Sequence, residues 1–310
     1  MILPINFSNN KYNYNTISRP KRYANLQPLR QDTVSFSSQK PGKKLLQELS
    51  SDEINKIIKK TIANPINYIG QGNEGKVYNI PEFNCCIKIL KTAQNTPFGE
   101  WSFNITEQDV INHIIAKSKN KSVIMKKIEG EPLIYNEKSQ ALFNLPQSSY
   151  REFIKQLDNA HRHEMFFDNA PNNILFSEKN QTITAIDFLD SGFAIRGTFS
   201  SAYSVLYKFP ENNNDIKNDL KLGGKFLNIA LDEIEKPTGE IDVIDFDIDL
   251  LLDMIENSSR GKLPPQYKFL RRSVEKIFEL KEKRSRGEDV TIELNGQLKY
   301  ARCIIKQILL

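Results

Sequence analysis

Past a first stretch with little periodicity, residues 1–42, the chain reads as one helix, a set of short strands, and then a mostly helical remainder. Residues 43–60 have helical spacing. Ser50 and Glu53 stand three apart, as a capping box requires, and Ile54, Ile57 and Ile58 make an apolar face. Strands follow at 66–68, 76–80 and 85–90, the last two joined by the turn Pro81-Glu82-Phe83-Asn84. Residues 106–115 return to helical spacing, with Val110, Ile111, Ile114 and Ile115 on one stripe. A strand over 122–125 runs into Gly130 and Pro132. A helix over 148–165 then turns Phe153, Ile154 and Leu157 inward. Two short apolar strands, around Ile174-Leu175 and over 182–186, flank a polar turn at 177–181. The remainder predicts helices over 215–234, 245–257, 267–283 and 296–310, and no internal repeat is present.

Composition narrows the classes. A chain of 310 residues with 39% apolar residues suits one large two-part domain or two small ones. No apolar run approaches membrane-spanning length, and Met1–Phe7 is too short for a secretory signal, so no membrane span is expected. Three cysteines, two of them adjacent, make no disulfide framework; a reducing, cytoplasmic setting is expected, or export without a classical signal peptide. A net charge of +5, dispersed along the chain, admits anionic ligands such as nucleotides without the basic patch of a nucleic-acid binder. The first 42 residues, rich in Asn, Ser and Pro with Arg19, Lys21, Arg22 and Arg30, read as a flexible tail.

Two motifs carry chemistry. The first is Ile69-Gly70-Gln71-Gly72-Asn73-Glu74-Gly75-Lys76-Val77-Tyr78, a G-x-G-x-x-G-x-V pattern. Such glycines can open a dinucleotide-binding unit, but a helix should then follow. Here the pattern after Gly75 is strand, turn, strand, which puts the glycines in a hairpin tip. Lys88 follows inside the apolar strand Cys85-Cys86-Ile87-Lys88-Ile89-Leu90, where a lysine is costly to bury without a partner. The second motif is Asp168, then Asn173 before Ile174-Leu175, then Asp187 before Phe188. A hairpin over these strands brings the three oxygen-bearing side chains to one end, a set suited to a hard cation and a substrate hydroxyl.

In this order the motifs resemble the Gly-rich loop, strand lysine, catalytic loop and metal-binding segment of the protein-kinase-like superfamily. The resemblance covers residues 66 to 195. It implies an α+β, bilobal fold: a small antiparallel-sheet lobe over 43–130 and a mostly helical lobe over 131–310. It implies ATP and Mg²⁺ as cofactors and transfer of the γ-phosphate to a hydroxyl, with Ser or Thr of a protein as the expected acceptor. Residue by residue, Gly70, Gln71, Gly72, Gly75 and Val77 would border the nucleotide, and Lys88 would hold the α- and β-phosphates. Met125 would guard the back of the pocket, and Lys126 and Ile128 would offer backbone contacts to the adenine. Asp168 would accept the proton of the attacking hydroxyl; Asn173 and Asp187 would bind Mg²⁺. Glu107 occupies the place of the helix acid that pairs with the lysine, although it also reads as a capping acid after Thr106, and Asp109 or Glu100 could take that role. His161 resembles the histidine that ends the helix before the catalytic loop.

The departures bear on function. Phe166-Phe167-Asp168 stands where the superfamily carries H-R-D, which removes the usual partner of a phosphorylated activation loop. Ala170 replaces a lysine common in Ser/Thr protein kinases, Leu189 replaces a glycine, and A-P-E is absent. These changes are compatible with small-molecule kinases of the aminoglycoside and choline type, while a pseudokinase scaffold is the alternative from another class. The short acceptor region also resembles compact bacterial effector kinases. Gly192, Gly197, Thr198, Ser200, Ser201 and Tyr203 fall in a stretch read as a loop, for acceptor docking or merely at the surface. His161-x-His163 lies two apart on a helix, off a shared face, which argues against a metal pair. The alternating Asp245, Asp247 and Asp249 lack the glycine of a calcium loop and read as acids at a helix start.

Overall fold

The computed structural model describes residues 45–310 apart from 73, 92–97, 121, 134–138, 168–169, 191–196, 208–215 and 260. The first 42 residues, read as a tail, and Asp168 therefore lie outside the described residues.

Ser50 starts the first helix as its spacing predicts. Its side chain accepts from Glu53 N, and Glu53 Oε2 accepts from Ser50 N at 2.8 Å. The helix α1 runs Ser51–Ala63, with residues 46–48 forming a separate 3₁₀ turn before it. Ile54 and Ile58 are buried. Asn64 then caps the 3₁₀ turn Pro65–Asn67 by accepting from Ile66 N, so the first strand begins later than the apolar residues suggest and Ile66 stays exposed.

Six strands form one antiparallel sheet: β1 (Tyr68–Gln71), β2 (Gly75–Ile80), β3 (Cys85–Leu90), β4 (Trp101–Ser102), β5 (Ile114–Ser118) and β6 (Ser122–Lys126). Their spatial order is β1-β2-β3-β6-β5-β4. The helix expected over 106–115 is short. Thr106 and Asp109 close a capping box for α2, Glu107–Ile111, which ends as His113 enters the left-handed region at φ 59°. Ile114 and Ile115 then belong to β5, so Val110 is left exposed and the expected stripe is divided between two elements.

Further along come β7 (Glu131–Pro132), α3 (Ser139–Phe143), α4 (Gln147–Arg162), β8 (Met165–Phe167), β9 (Ile174–Ser177), β10 (Thr182–Ala185) and β11 (Phe188–Asp190). β9 and β10 form the expected hairpin, with Ala185 opposite Ile174 and Thr182 opposite Ser177. β11 pairs with β8, Phe188 against Phe167. The remaining described helices are α5 (Thr198–Tyr207), α6 (Ile216–Glu235), α7 (Asp245–Ser258), α8 (Tyr267–Ser285) and α9 (Thr291–Ile308). α5 corrects the loop reading: Thr198, Phe199, Ser200, Ala202 and Tyr203 are buried, which removes them from any surface role. Asp247 tethers the start of this helix, accepting from Phe199 N at 2.8 Å and Ser200 N at 3.0 Å.

Two apolar cores result. One joins α1 to the sheet through Ile54, Ile58, Ile80, Ile87, Trp101 and Ile124. The other, larger, is built from α4 to α9 with β8 to β11, around Tyr150, Phe153, Phe167, Tyr203 and Phe226. Among the described residues no helix is long and apolar enough to cross a membrane.

Candidate active site

The glycine hairpin sits on the sheet at β1 and β2. Gln71 faces Lys76, and Gly72 N donates to Gly75 O at 2.9 Å, which closes the turn. The glycines differ in what demands them. A Cβ on Gly75 would stand 2.2 Å from the carbonyl oxygen of Ile89, because β2 and β3 approach there; Gly70 and Gly72 have nothing within 4 Å of such a carbon. Gly75→Ala is therefore expected to lower stability by about 1–3 kcal/mol through forced backbone shifts. Gly72→Ala should stay within about 0.5 kcal/mol of the parent in urea unfolding. Equal midpoints for the two variants would overturn this assignment.

β3 carries Lys88 between Val77 of β2 and Val123 of β6. Its side chain is only 14% exposed. The ammonium donates to two carboxylates, Asp187 Oδ1 at 2.7 Å and Glu74 Oε2 at 2.7 Å. Burial alone would lower the Lys88 pKa; the bonds to Asp187 and Glu74 outweigh it and hold the ammonium above its ordinary value. Lys88 and Asp187 are 99 positions apart, so this pair joins the sheet to the β10–β11 connection.

The acid expected from the helix is not on Lys88. Glu107 Oε2 lies 3.0 Å from His163 Nε2, at the end of α4. Asp109 holds Lys117 at 2.6 Å and caps α2, and Glu100 pairs with Lys119. Asp109 is engaged locally and Glu107 is turned to α4, and the second carboxylate on Lys88 comes instead from the turn of the glycine hairpin.

Asp187 has φ 65°, a left-handed conformation uncommon outside glycine, asparagine and aspartate. Its neighbours are tied on both sides. Ile186 N donates to Asn173 O at 2.8 Å, which brings the segments of the two expected metal ligands together. Ala185 N donates to Gln156 Oε1 at 3.0 Å. His113 Nε2–H donates to Ala185 O at 3.3 Å, and burial lowers the pKa of this imidazole. Asn112 Oδ1 accepts from Phe188 N at 2.8 Å, and Asn112 Nδ2 donates to Phe188 O at 3.0 Å. Asn112 and Glu74 are not among the residues the motifs point to; the polar pair Asn112-His113, interrupting Val110-Ile111 and Ile114-Ile115, is the available signal for the first.

Of the other expected residues, Met125 and Lys126 end β6, and the N–H of Lys126 is taken by His113 O at 2.8 Å. Ile128 follows in the connection to β7. His161 Nδ1 lies 2.9 Å from Thr198 Oγ1, with its pKa lowered by burial, and so supports α5 against α4. Among the described residues no group of three or more His, Cys, Asp and Glu could hold a metal ion. The carboxylate of Asp187 and the amide of Asn173 nonetheless offer hard oxygens of the kind Mg²⁺ takes when substrate phosphates complete its shell.

No protein-family model matches the chain, and no curated protein matches it in sequence.

Proposed function

We propose that the chain is an ATP-dependent phosphotransferase of protein-kinase-like architecture, its two apolar cores corresponding to two lobes with the nucleotide between them. The observation that carries this reading is the 2.7 Å contact of Lys88 with Asp187, which unites a glycine-hairpin sheet with an acid-bearing hairpin. The sheet order β1-β2-β3-β6-β5 and the bond from Ile186 N, one residue before Asp187, to Asn173 O support it.

In this reading Lys88 clamps the non-transferred phosphates, and the glycine hairpin of β1 and β2 lies over them. Asn173 and Asp187 hold Mg²⁺, which supplies charge neutralisation between the phosphates. Asp168 orients the attacking hydroxyl and accepts its proton. Catalysis is then positioning plus charge stabilisation. The acceptor we favour is Ser or Thr of a protein. Ala170 and the start of buried α5 only eleven positions after Asp187 favour, as a second reading, a small-molecule hydroxyl.

The first test is a thermal melt with Mg·ATP. At about 100-fold excess over Kd, binding adds about 2.7 kcal/mol, or roughly 5–10 °C for a domain of this size. Labelled ATP is then supplied with a protein extract and, separately, with a metabolite extract. Transfer to protein that Asp168→Ala abolishes while keeping the melt shift supports a protein kinase; label in the metabolite fraction alone supports the second reading. No melt shift with Mg·ATP defeats both.

A further inference from the structure

We infer that Asn112 is a positioning residue that fixes the metal-facing orientation of Asp187, an inference that rests on the reading of the site just given. Asn112 follows the last residue of α2. Its own backbone is held: its N–H donates to Gln108 O, and His113 N donates to Val110 O at 2.9 Å. Ile111, one residue before, is buried in the larger core. The side-chain amide thus projects from a fixed point.

It meets Phe188 as another strand would. One amide supplies an acceptor for Phe188 N–H, at 2.8 Å, and a donor for Phe188 C=O, at 3.0 Å. Few side chains can do both at once, since a carboxylate only accepts and an ammonium only donates. The adjacent His113 grips Ala185 O, two residues before Asp187, and Asn173 O takes Ile186 N. Asp187 therefore hangs between tied neighbours, which is what a residue at φ 65° needs to keep one orientation. Its side chain, 42% exposed, meets Lys88 at 2.7 Å and otherwise depends on the backbone that carries it. Groups that orient a metal-binding side chain without touching the metal commonly change metal affinity by about 10–100-fold when removed.

The test compares ATP affinity with Mg²⁺ and with EDTA, by calorimetry on the full chain, for the parent, Asn112→Ala and Asn112→Asp. The alanine is expected to weaken Mg·ATP binding at least about 10-fold while metal-free ATP binding, which relies on Lys88 and the glycine hairpin, changes less than about 2-fold. The aspartate is isosteric, keeps the acceptor for Phe188 N–H and turns a second acceptor on Phe188 O, so it should show a loss of the same kind with packing retained. It also carries the test should the alanine fail to fold. Folded variants that bind Mg·ATP as tightly as the parent, or that lose metal-dependent and metal-free binding equally, overturn the inference. A parent whose ATP affinity is indifferent to Mg²⁺ overturns the reading of the site itself, and the inference with it.

Discussion

Asp187→Asn is expected to cut phosphoryl transfer by about 10³-fold while leaving the melting temperature nearly unchanged. Asparagine tolerates the left-handed backbone that aspartate occupies here, so φ 65° does not add strain. The lost ion pair with Lys88 is partly exposed, with 42% of the Asp187 side chain open to solvent, and pairs of that kind contribute about 0–1 kcal/mol. The chemistry is far more sensitive. A carboxylate that binds Mg²⁺ beside the phosphates contributes several kcal/mol of charge stabilisation, and about 4 kcal/mol corresponds to 10³ in rate. Lys88 keeps its second anion, Glu74 at 2.7 Å, so the ammonium remains charged and anchored. In the proposed reading the carboxylate of Glu74 would compete with incoming phosphates for Lys88. Glu74→Gln should therefore tighten Mg·ATP by a few-fold, the opposite direction from Asp187→Asn. Steady-state transfer assays and calorimetry read both. Transfer by Asp187→Asn within tenfold of the parent would remove Asp187 from the proposed chemistry.

Local chemistry made much of the fold legible. The capping box at Ser50 and Glu53, the β2–β3 hairpin and the β9–β10 hairpin each depend on residues a few positions apart, and each forms as its spacing implies. The spacing overextends the helix over 106–115 because Ile114 and Ile115 continue a helical stripe; His113 leaves the helix, and both isoleucines belong to β5, which pairs with β6. α5 is hidden in the sequence for a different reason. Its sequence, Thr198–Tyr207, is rich in Ser, Thr and aromatic residues of modest helix propensity, and a helix buried on nearly all sides shows no polar face to betray its period.

The site was legible in its motifs and not in its pairings. Lys88 and Asp187 meet as the order of the motifs suggested, across 99 positions. Which acid completes the lysine could not be read from order, because that depends on the length of α2 and the direction of the hairpin turn. Glu107 follows the N-cap Thr106 of a five-residue helix and reaches His163, whereas Glu74 sits on the strand-turn-strand that already carries the lysine. Sequence separation of 14 between Glu74 and Lys88 made the simpler contact available all along.

Asp247→Ala is expected to be the most destabilising single truncation of a charged residue, by about 3–4 kcal/mol. Asp247 is 1% exposed and lies in the first turn of α7. Its carboxylate accepts from Phe199 N at 2.8 Å, Ser200 N at 3.0 Å and Ser200 Oγ at 2.6 Å. The two backbone donors belong to the first turn of α5, where N–H groups have no partner within the helix. Because α5 is buried, water cannot replace the lost acceptor, and each unsatisfied donor costs about 1–3 kcal/mol. For a domain of this size the loss corresponds to a fall of roughly 6–16 °C in melting temperature. Asp245→Ala is the control: it removes an exposed acid two positions away in the same alternating run and should stay within about 0.5 kcal/mol. Asp247→Asn should fall between them, since its carbonyl can accept from one or two donors while its amide turns protons toward the third. Urea unfolding of the three variants orders them, and Asp247→Ala matching Asp245→Ala would mean that α5 is held by apolar packing alone.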